Sequence, residues 1–411
     1  MSEWTRYKLK DISSLSNGIN FDKSAYTSGV KLIGVSDFKD RVYPDYDSLQ
    51  EVDPKVVRSG DYLEKGDIVF VRSNGNKELV GRCMMIDRDI PVTFSGFCIK
   101  LRLNNKNRFE PIYFNYLFRS RQFRKSMAGT AVGANIQNLS QSRLGNSEVC
   151  IPDIETQKAI ASIISRYDSL ILNYQQQIKL MEEAAQRLYK EWFVDINFPG
   201  YESTKVVDSV PEGWERKKIG DLISKTQRTK QVPTNCYQSV GSIPIIDQSK
   251  NYIAGYTDDE ECKVSVEIPY IVFGDHTRVL KFIPFSFAKG ADGTQLIMTN
   301  DLKRMPQSLF YNSLKHVDLS NYSYARHFKY LKEEQILVPT ELIADRFDSF
   351  VSKWYKAIQQ CRKEINILTE ARDRLLPKLM SGEINVEAAQ SGTSGLGVRK
   401  EQTDSPQTTD S

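Results

Sequence analysis

The chain has 411 residues, a net charge of +4 and a hydrophobic share of 40%, which supports two or three domains with ordinary cores and permits a nucleic-acid partner without arguing for one. No run approaches the roughly 18 apolar residues of a membrane span, and the opening MSEWTRYKLKDISSL lacks the apolar core of a signal peptide. Six scattered cysteines without a CxxC pair argue against disulfide or zinc scaffolds and for a reducing cytoplasm.

In chain order, residues 1–152 read as a globular domain. Its strand-like run GDIVFVRSNG (66–75) ends in a polar turn carrying Arg72, Asn74 and Lys77. A basic helical run from Arg119 to Lys125 then precedes a second polar loop with Asn135 and Gln137. From 153 to 196 apolar residues recur at Ile160, Ile164, Tyr167, Ile171, Tyr174, Ile178, Met181, Ala185, Leu188 and Trp192. Steps of four and three are the a/d pattern of a coiled-coil seam, predicting one helix of roughly 50–60 Å. Residues 197–213 are rich in Pro, Gly and Ser and read as a linker.

A second globular domain spans 214–339, with polar loops in FGDHTR (273–278), GADGT (290–294) and YARHFKYLK (324–332). A second seam follows over 340–386: Phe347, Val351, Trp354, Ile358, Cys361, Ile365, Leu368, Arg372, Leu375 and Leu379, broken only by Arg372. Pro377 is expected to kink or end this helix near Leu376. The tail 387–411 is polar and Gly/Ser/Thr-rich, the composition of a disordered segment.

The two halves repeat each other. Displaced by 187 residues, Ser162, Ile171, Ile178, Glu183, Arg187 and Leu188 fall on Ser349, Ile358, Ile365, Glu370, Arg374 and Leu375. Trp4-x-Arg6-x-Lys8-Leu9-x-Asp11-Ile12 likewise parallels Trp214-x-Arg216-x-Lys218-Ile219-x-Asp221-Leu222. The expected fold class is therefore α+β: two globular domains joined by two long antiparallel coiled-coil helices, related by a pseudo-two-fold internal repeat.

Signatures of chemistry are missing. No GxxxxGK[ST], GxGxxG, GxSxG, HExxH or (Asp/Asn)-Pro-Pro-(Tyr/Phe) string occurs, and His276, His316 and His327 are too dispersed for a local metal cluster. What the domains do offer is Arg and Lys for guanine edges and phosphates, Asn and Gln for adenine edges, and aromatics for stacking. Such loops are also ordinary solvated surface, but they recur at equivalent places in both halves. FGDHTR could alternatively be read as the centre of a stand-alone DNA-modifying or cleaving enzyme. Against this, Asp275 and His276 are sequence neighbours, whose side chains usually diverge, and no partner motif accompanies them.

Over residues 1–386 the layout resembles the specificity subunit of type I restriction-modification systems. The resemblance is carried by PEGW (211–214), FGDHTR with GADGT, ARHFK (325–329), RLYKEWFVD (187–195) and RDRLLPKLMSGEI (372–384), in that family's order and spacing. It implies a non-catalytic subunit whose two target-recognition domains each read half of a bipartite, non-palindromic DNA site. The helices would set the gap and dock two modification (methyltransferase) subunits, which bring S-adenosylmethionine chemistry on adenine N6. Restriction subunits would add ATP- and Mg-dependent translocation and cleavage; no cofactor belongs to this chain. On that reading the candidate DNA-contacting residues are Arg72, Asn74, Lys77, Asn135 and Gln137 in the first domain. In the second they are His276, Thr277, Arg278, Lys281, Arg326, His327 and Lys329.

Overall fold

The structure, a computed structural model, describes residues 4–384 and 386 apart from 39–40, 74–79, 129–137, 227–228 and 323–325. Two compact units divide it, one formed by residues 1–173 with 364–411 and the other by 174–363. The second is one continuous stretch and the first is made of the two flanking stretches, so each takes part of both long helices. Among the described residues no helix is long and apolar enough to cross a membrane.

The first unit opens with β1 (Thr5–Lys8), which pairs antiparallel with the closing strand β9 (Glu148–Ile151). Between them lie two sheets. One is antiparallel, in the order β2 (Ser13–Asn17), β8 (Cys98–Leu103), β5 (Ile68–Val71), β6 (Cys83–Met85). The other sets β3 (Tyr26–Ile33) between antiparallel β4 (Gln50–Val52) and parallel β7 (Val92–Phe94). All four residues of β5 are fully buried, as expected of a continuous apolar run in a strand covered on both faces. Helix α1 (Pro111–Arg119) starts on a proline, which suits a position whose N–H has no intrahelical partner. It buries Tyr113, Phe114, Tyr116 and Phe118 against this sheet, and α2 (Arg121–Ala128) follows.

The second unit repeats the plan. A hairpin of β10 (Val206–Val207) and β11 (Val210–Pro211) precedes β12 (Glu215–Lys218), which pairs with the last strand β20 (Gln335–Val338). One sheet runs β14 (Gly255–Thr257), β13 (Ile243–Ile246), β18 (Phe287–Lys289), β15 (Lys263–Val264), with β13 and β18 parallel like β3 and β7. The other is antiparallel: β17 (Leu280–Ile283), β16 (Tyr270–Gly274), β19 (Thr294–Ile297). The equivalence reaches single backbone hydrogen bonds. Leu9 N to Ser147 O is answered by Ile219 N to Glu334 O, and Asn104 N to Ile12 O by Asn300 N to Leu222 O.

The long helices are α3 (Ile154–Tyr189) and, after α4 (Gln307–His316) and α5 (His327–Glu333), α6 (Glu341–Met380). Within the first unit Asp168 of α3 faces Arg372 of α6; within the second, Gln177 faces Cys361, Glu182 faces Arg362 and Trp192 faces Phe347. From Gln177 and Glu182 onward to Trp192 on α3, the partners on α6 move back from Cys361 and Arg362 to Phe347, so the second unit's helical segments run antiparallel. The seam is turned inward: Ile164, Ile171, Val351 and Ile358 are buried, and Ile178, Leu188, Ile365 and Leu375 half-buried.

Three sequence expectations are corrected. Helix α6 does not end near Leu376 but passes Pro377 and continues to Met380; so close to the helix end the ring removes only the bond to the Asp373 carbonyl. Arg372 does not break the seam, because it is paired with Asp168 at 2.6 Å. Residues 197–213 are no free linker: Phe198 is buried and packs on Trp214 with ring centres 4.7 Å apart. The tail 387–411 lies outside the described residues.

Candidate nucleic-acid interface

In the second unit β16 and β17 form a hairpin whose turn is the DHTR stretch. Gly274 N bonds Val279 O at 2.8 Å and Arg278 N bonds Gly274 O at 2.8 Å. Gly274 is required there, since an added Cβ would stand 2.2 Å from Thr277 Oγ1. Arg278 adopts a left-handed φ of 59° to close the turn.

Polar side chains tie this turn to three neighbouring loops. Asp275 is buried; its Oδ1 accepts from Phe328 N at 2.8 Å, in the first turn of α5, while its N–H donates to Gly293 O at 2.7 Å. Carboxylate at a helix start satisfies an orphan N–H and complements the helix dipole. Thr277 Oγ1 donates to Gln248 O at 2.6 Å, and Gln248 receives His276 N at 3.1 Å and donates to Asp292 O at 2.9 Å. Arg278 Nη1 donates to Leu319 O at 2.9 Å.

Two nominated residues are withdrawn from the surface. Lys281 is 4% exposed; its ammonium donates to Asp247 O at 2.8 Å and to Asn251 O, with Asp247 Oδ1 at 3.7 Å. Burial pulls its pKa below the usual lysine value, partly offset by Asp247. His327 is also 4% exposed, with both ring nitrogens at carbonyl oxygens, Asp275 O and Tyr322 O, each at 2.8 Å. Both are braces of the loop cluster, and neither has a donor left for DNA. His276, Thr277, Arg278, Arg326 and Lys329 remain exposed. Of these, His276 and Lys329 are the nominated side chains whose hydrogen-bonding atoms are not spent on the fold, joined by Arg326 at the entrance to α5.

The first unit builds the same junction with different residues. Arg72 N bonds Phe97 O at 2.8 Å and Leu139 N bonds Arg72 O at 2.8 Å. These match Asp275 N to Gly293 O and His327 N to Asp275 O, at 2.7 and 2.9 Å. The hydrogen bonds therefore set Arg72 opposite Asp275 and Ser73 opposite His276, one residue from a direct reading of VRSNG against FGDHT. Arg72 is half-buried, its guanidinium 3.4 Å from Gly96 O. Asn74, Lys77, Asn135 and Gln137 lie outside the described residues.

Sequence reading passed over Gln248, which joins three loops yet stands in a weakly patterned stretch, DQSKN. It also nominated none of Arg121, Arg124 and Lys125 on α2, although RQFRKSMA carries three cations and no acid. Among the described residues no three His, Cys, Asp or Glu side chains come together as a metal site. The arrangement can present hydrogen-bond donors and positive charge on braced loops; among the described residues it brings no nucleophile, base and orienting group together around FGDHTR.

Comparison with known proteins gives a consistent picture. Residues 1–182 match the family described as Type I restriction modification DNA specificity domain. The type I restriction enzyme MjaIX specificity subunit of Methanocaldococcus jannaschii is 26% identical over 67% of this chain and 69% of its own length. The putative MjaX specificity subunit of the same organism is 26% identical over 94% of both chains. Among solved structures, the type I restriction-modification S subunit from M. genitalium shares the fold with a TM-score of 0.58, at 16% identity over 92% of this chain and 96% of that one.

Proposed function

From a chain that is a type I restriction-modification specificity subunit in sequence and fold, we infer that each unit reads one half of a bipartite, non-palindromic DNA site. The observation that carries this is the repeat itself. Matching backbone hydrogen bonds hold the two loop clusters alike, while the residues at the matched positions differ, Arg72 and Ser73 against a buried Asp275 and an exposed His276. One shared catalytic mechanism would need the same groups twice; two readers of different sequences need different ones.

The chain supplies recognition and no catalysis. Its helices set the gap between half-sites and dock two modification subunits. Leu170, Leu172 and Ile367 on the first unit's helical segments, and Leu180 and Phe350 on the second's, stay exposed as an apolar surface for such partners. S-adenosylmethionine for adenine methylation, and ATP and Mg for translocation and cleavage, belong to the modification and restriction subunits. The assembly works in the cytoplasm, where its DNA is.

The test is a footprint of the chain assembled with its modification partner. Protection should fall on two separated tracts of a duplex, with an affinity that drops steeply as salt rises, because phosphate contacts release counterions. A single contiguous footprint, or binding indifferent to salt, would overturn the reading.

A further inference from the structure

Among the described residues Phe97 is the most exposed aromatic side chain, at 61%. A single exposed apolar residue carries no meaning by itself; its place in the fold is what counts here. Phe97 lies in the turn between β7 and β8, flanked by buried Gly96 and buried Cys98. Its backbone is tied on both sides. Phe97 N donates to Ser95 Oγ at 3.3 Å, and Phe97 O receives Arg72 N at 2.8 Å and Ser73 N at 3.4 Å. The following residue is held too, with Cys98 N donating to Ser95 O at 2.8 Å. The turn is braced while the ring stays exposed.

The equivalent position in the second unit is Gly293. Val71 pairs with Cys98 as Gly274 pairs with Thr294, and Arg72 N to Phe97 O corresponds to Asp275 N to Gly293 O. Three positions therefore match: Arg72, Ser73 and Phe97 in one repeat, and Asp275, His276 and Gly293 in the other. Each set holds one exposed ring, and the two rings come from opposite sides of the strand pair. In the second unit the ring is His276, and a Cβ on Gly293 would meet its Cδ2 at 2.8 Å. In the first unit the residue matching His276 is the small Ser73, and the ring belongs to the facing position. An exposed ring at this junction is kept while its origin and its chemistry change.

Imidazole can donate and accept hydrogen bonds, whereas phenyl has neither a donor nor an acceptor. Along the base edges of the major groove, the apolar feature open to such a ring is the 5-methyl group of thymine. We propose that Phe97 is a specificity-determining residue of the first unit, its ring packing on the 5-methyl group of a thymine in the half-site that this unit reads. The proposal rests on the DNA-reading function above and adds to it a residue and the base feature that residue recognises.

Deoxyuridine in place of thymidine removes this methyl and leaves every hydrogen-bonding group of the base intact. The chain assembled with its modification subunits is titrated with duplexes in which each thymine of the methylated motif, on either strand, is replaced in turn. With the wild-type chain, one replacement in one half-site should weaken binding about fourfold, the share of a single buried methyl. With Phe97→Ala that same replacement should make no difference, and with Phe97→Leu it should keep part of its effect. The slope of log K against log salt should be equal in all three, because an apolar contact releases no counterion. A wild-type complex indifferent to every replacement, or a sensitivity that Phe97→Ala leaves intact, would overturn the proposal. Equal weakening of target and unrelated duplexes by Phe97→Ala, with no thymine effect, would overturn it too and assign the ring to a wedge that ignores sequence. Failure of Phe97→Ala to assemble would overturn it in favour of a protein contact. A wild-type complex that binds no DNA overturns the functional reading as well; one that binds its bipartite site and ignores every thymine methyl overturns only the role of Phe97.

Discussion

His276 and Lys281 stand five residues apart on one hairpin and have opposite surroundings. The His276 ring is exposed beside Gly293, where an added Cβ would meet it at 2.8 Å, whereas the Lys281 ammonium is enclosed by carbonyls. His276→Ala should therefore relax one half-site, narrowing the discrimination against single-base variants by about 1–3 kcal/mol, while a pre-assembled complex still transfers methyl groups. Lys281→Met should leave the base preference intact and lower stability by about 1–3 kcal/mol, the cost of stranding buried acceptors, read as a shifted denaturation midpoint. Nothing in the string DHTRVLK separates these roles, because strand alternation fails where β17 is buried on both faces. Only the loops around 247–251, distant in sequence, decide that Lys281 is a brace. A second prediction concerns Cys83 and Cys98, whose thiols burial pushes up to about 12. In the unfolded chain such thiols ionise near 8.5, so above that pH the folded state holds more protons and stability falls as pH rises toward 12. Followed by circular dichroism, the loss of stability between pH 7 and alkaline pH should be smaller in Cys83→Ser/Cys98→Ser than in the unsubstituted chain; an unchanged alkaline slope would contradict the assignment.

The long helices were the most legible elements, because a repeat of threes and fours over some 36–40 residues has no competing explanation. Their seam residues Ile164, Ile171, Val351 and Ile358 are buried as the pattern requires. What the pattern misjudged was polarity: Arg372 looked like a defect and is half of a buried ion pair. Asp168, off the seam, receives both Arg372 and Tyr116, a contact across sequence separations that periodicity does not encode. Asp168→Ala should cost about 3–5 kcal/mol by leaving a cation without its partner, while Asp168→Leu/Arg372→Met should recover most of that loss. Urea unfolding of the two variants checks it; equal destabilisation of both would contradict the assignment of that cost to a cation left without its partner. Pro377 was misjudged for the opposite reason, since the rule against interior proline weakens when the helix ends a turn later.

At the scale of the whole molecule, the internal repeat made the architecture readable before any contact was known. It foretold that the stretches from Trp4 to Ile12 and from Trp214 to Leu222 occupy equivalent places, and the backbone hydrogen bonds around them agree. The recognition surface was less legible, since loops such as 274–280 and 290–294 are organised by one another rather than by local pattern, through Gln248 and Asp275. If the helices are the ruler between half-sites, four residues added at a helix–domain junction, about 6 Å of helix, should lengthen the tolerated gap in the DNA target and leave both half-sites unchanged. The central claim is tested most directly by mapping methylated adenines in DNA from cells that carry this chain with its modification subunits. The account predicts one non-palindromic motif of two short tracts separated by a fixed gap, widened by the insertion. A contiguous or palindromic motif, or a motif unaffected by exchanging the loops of the second unit, would contradict it.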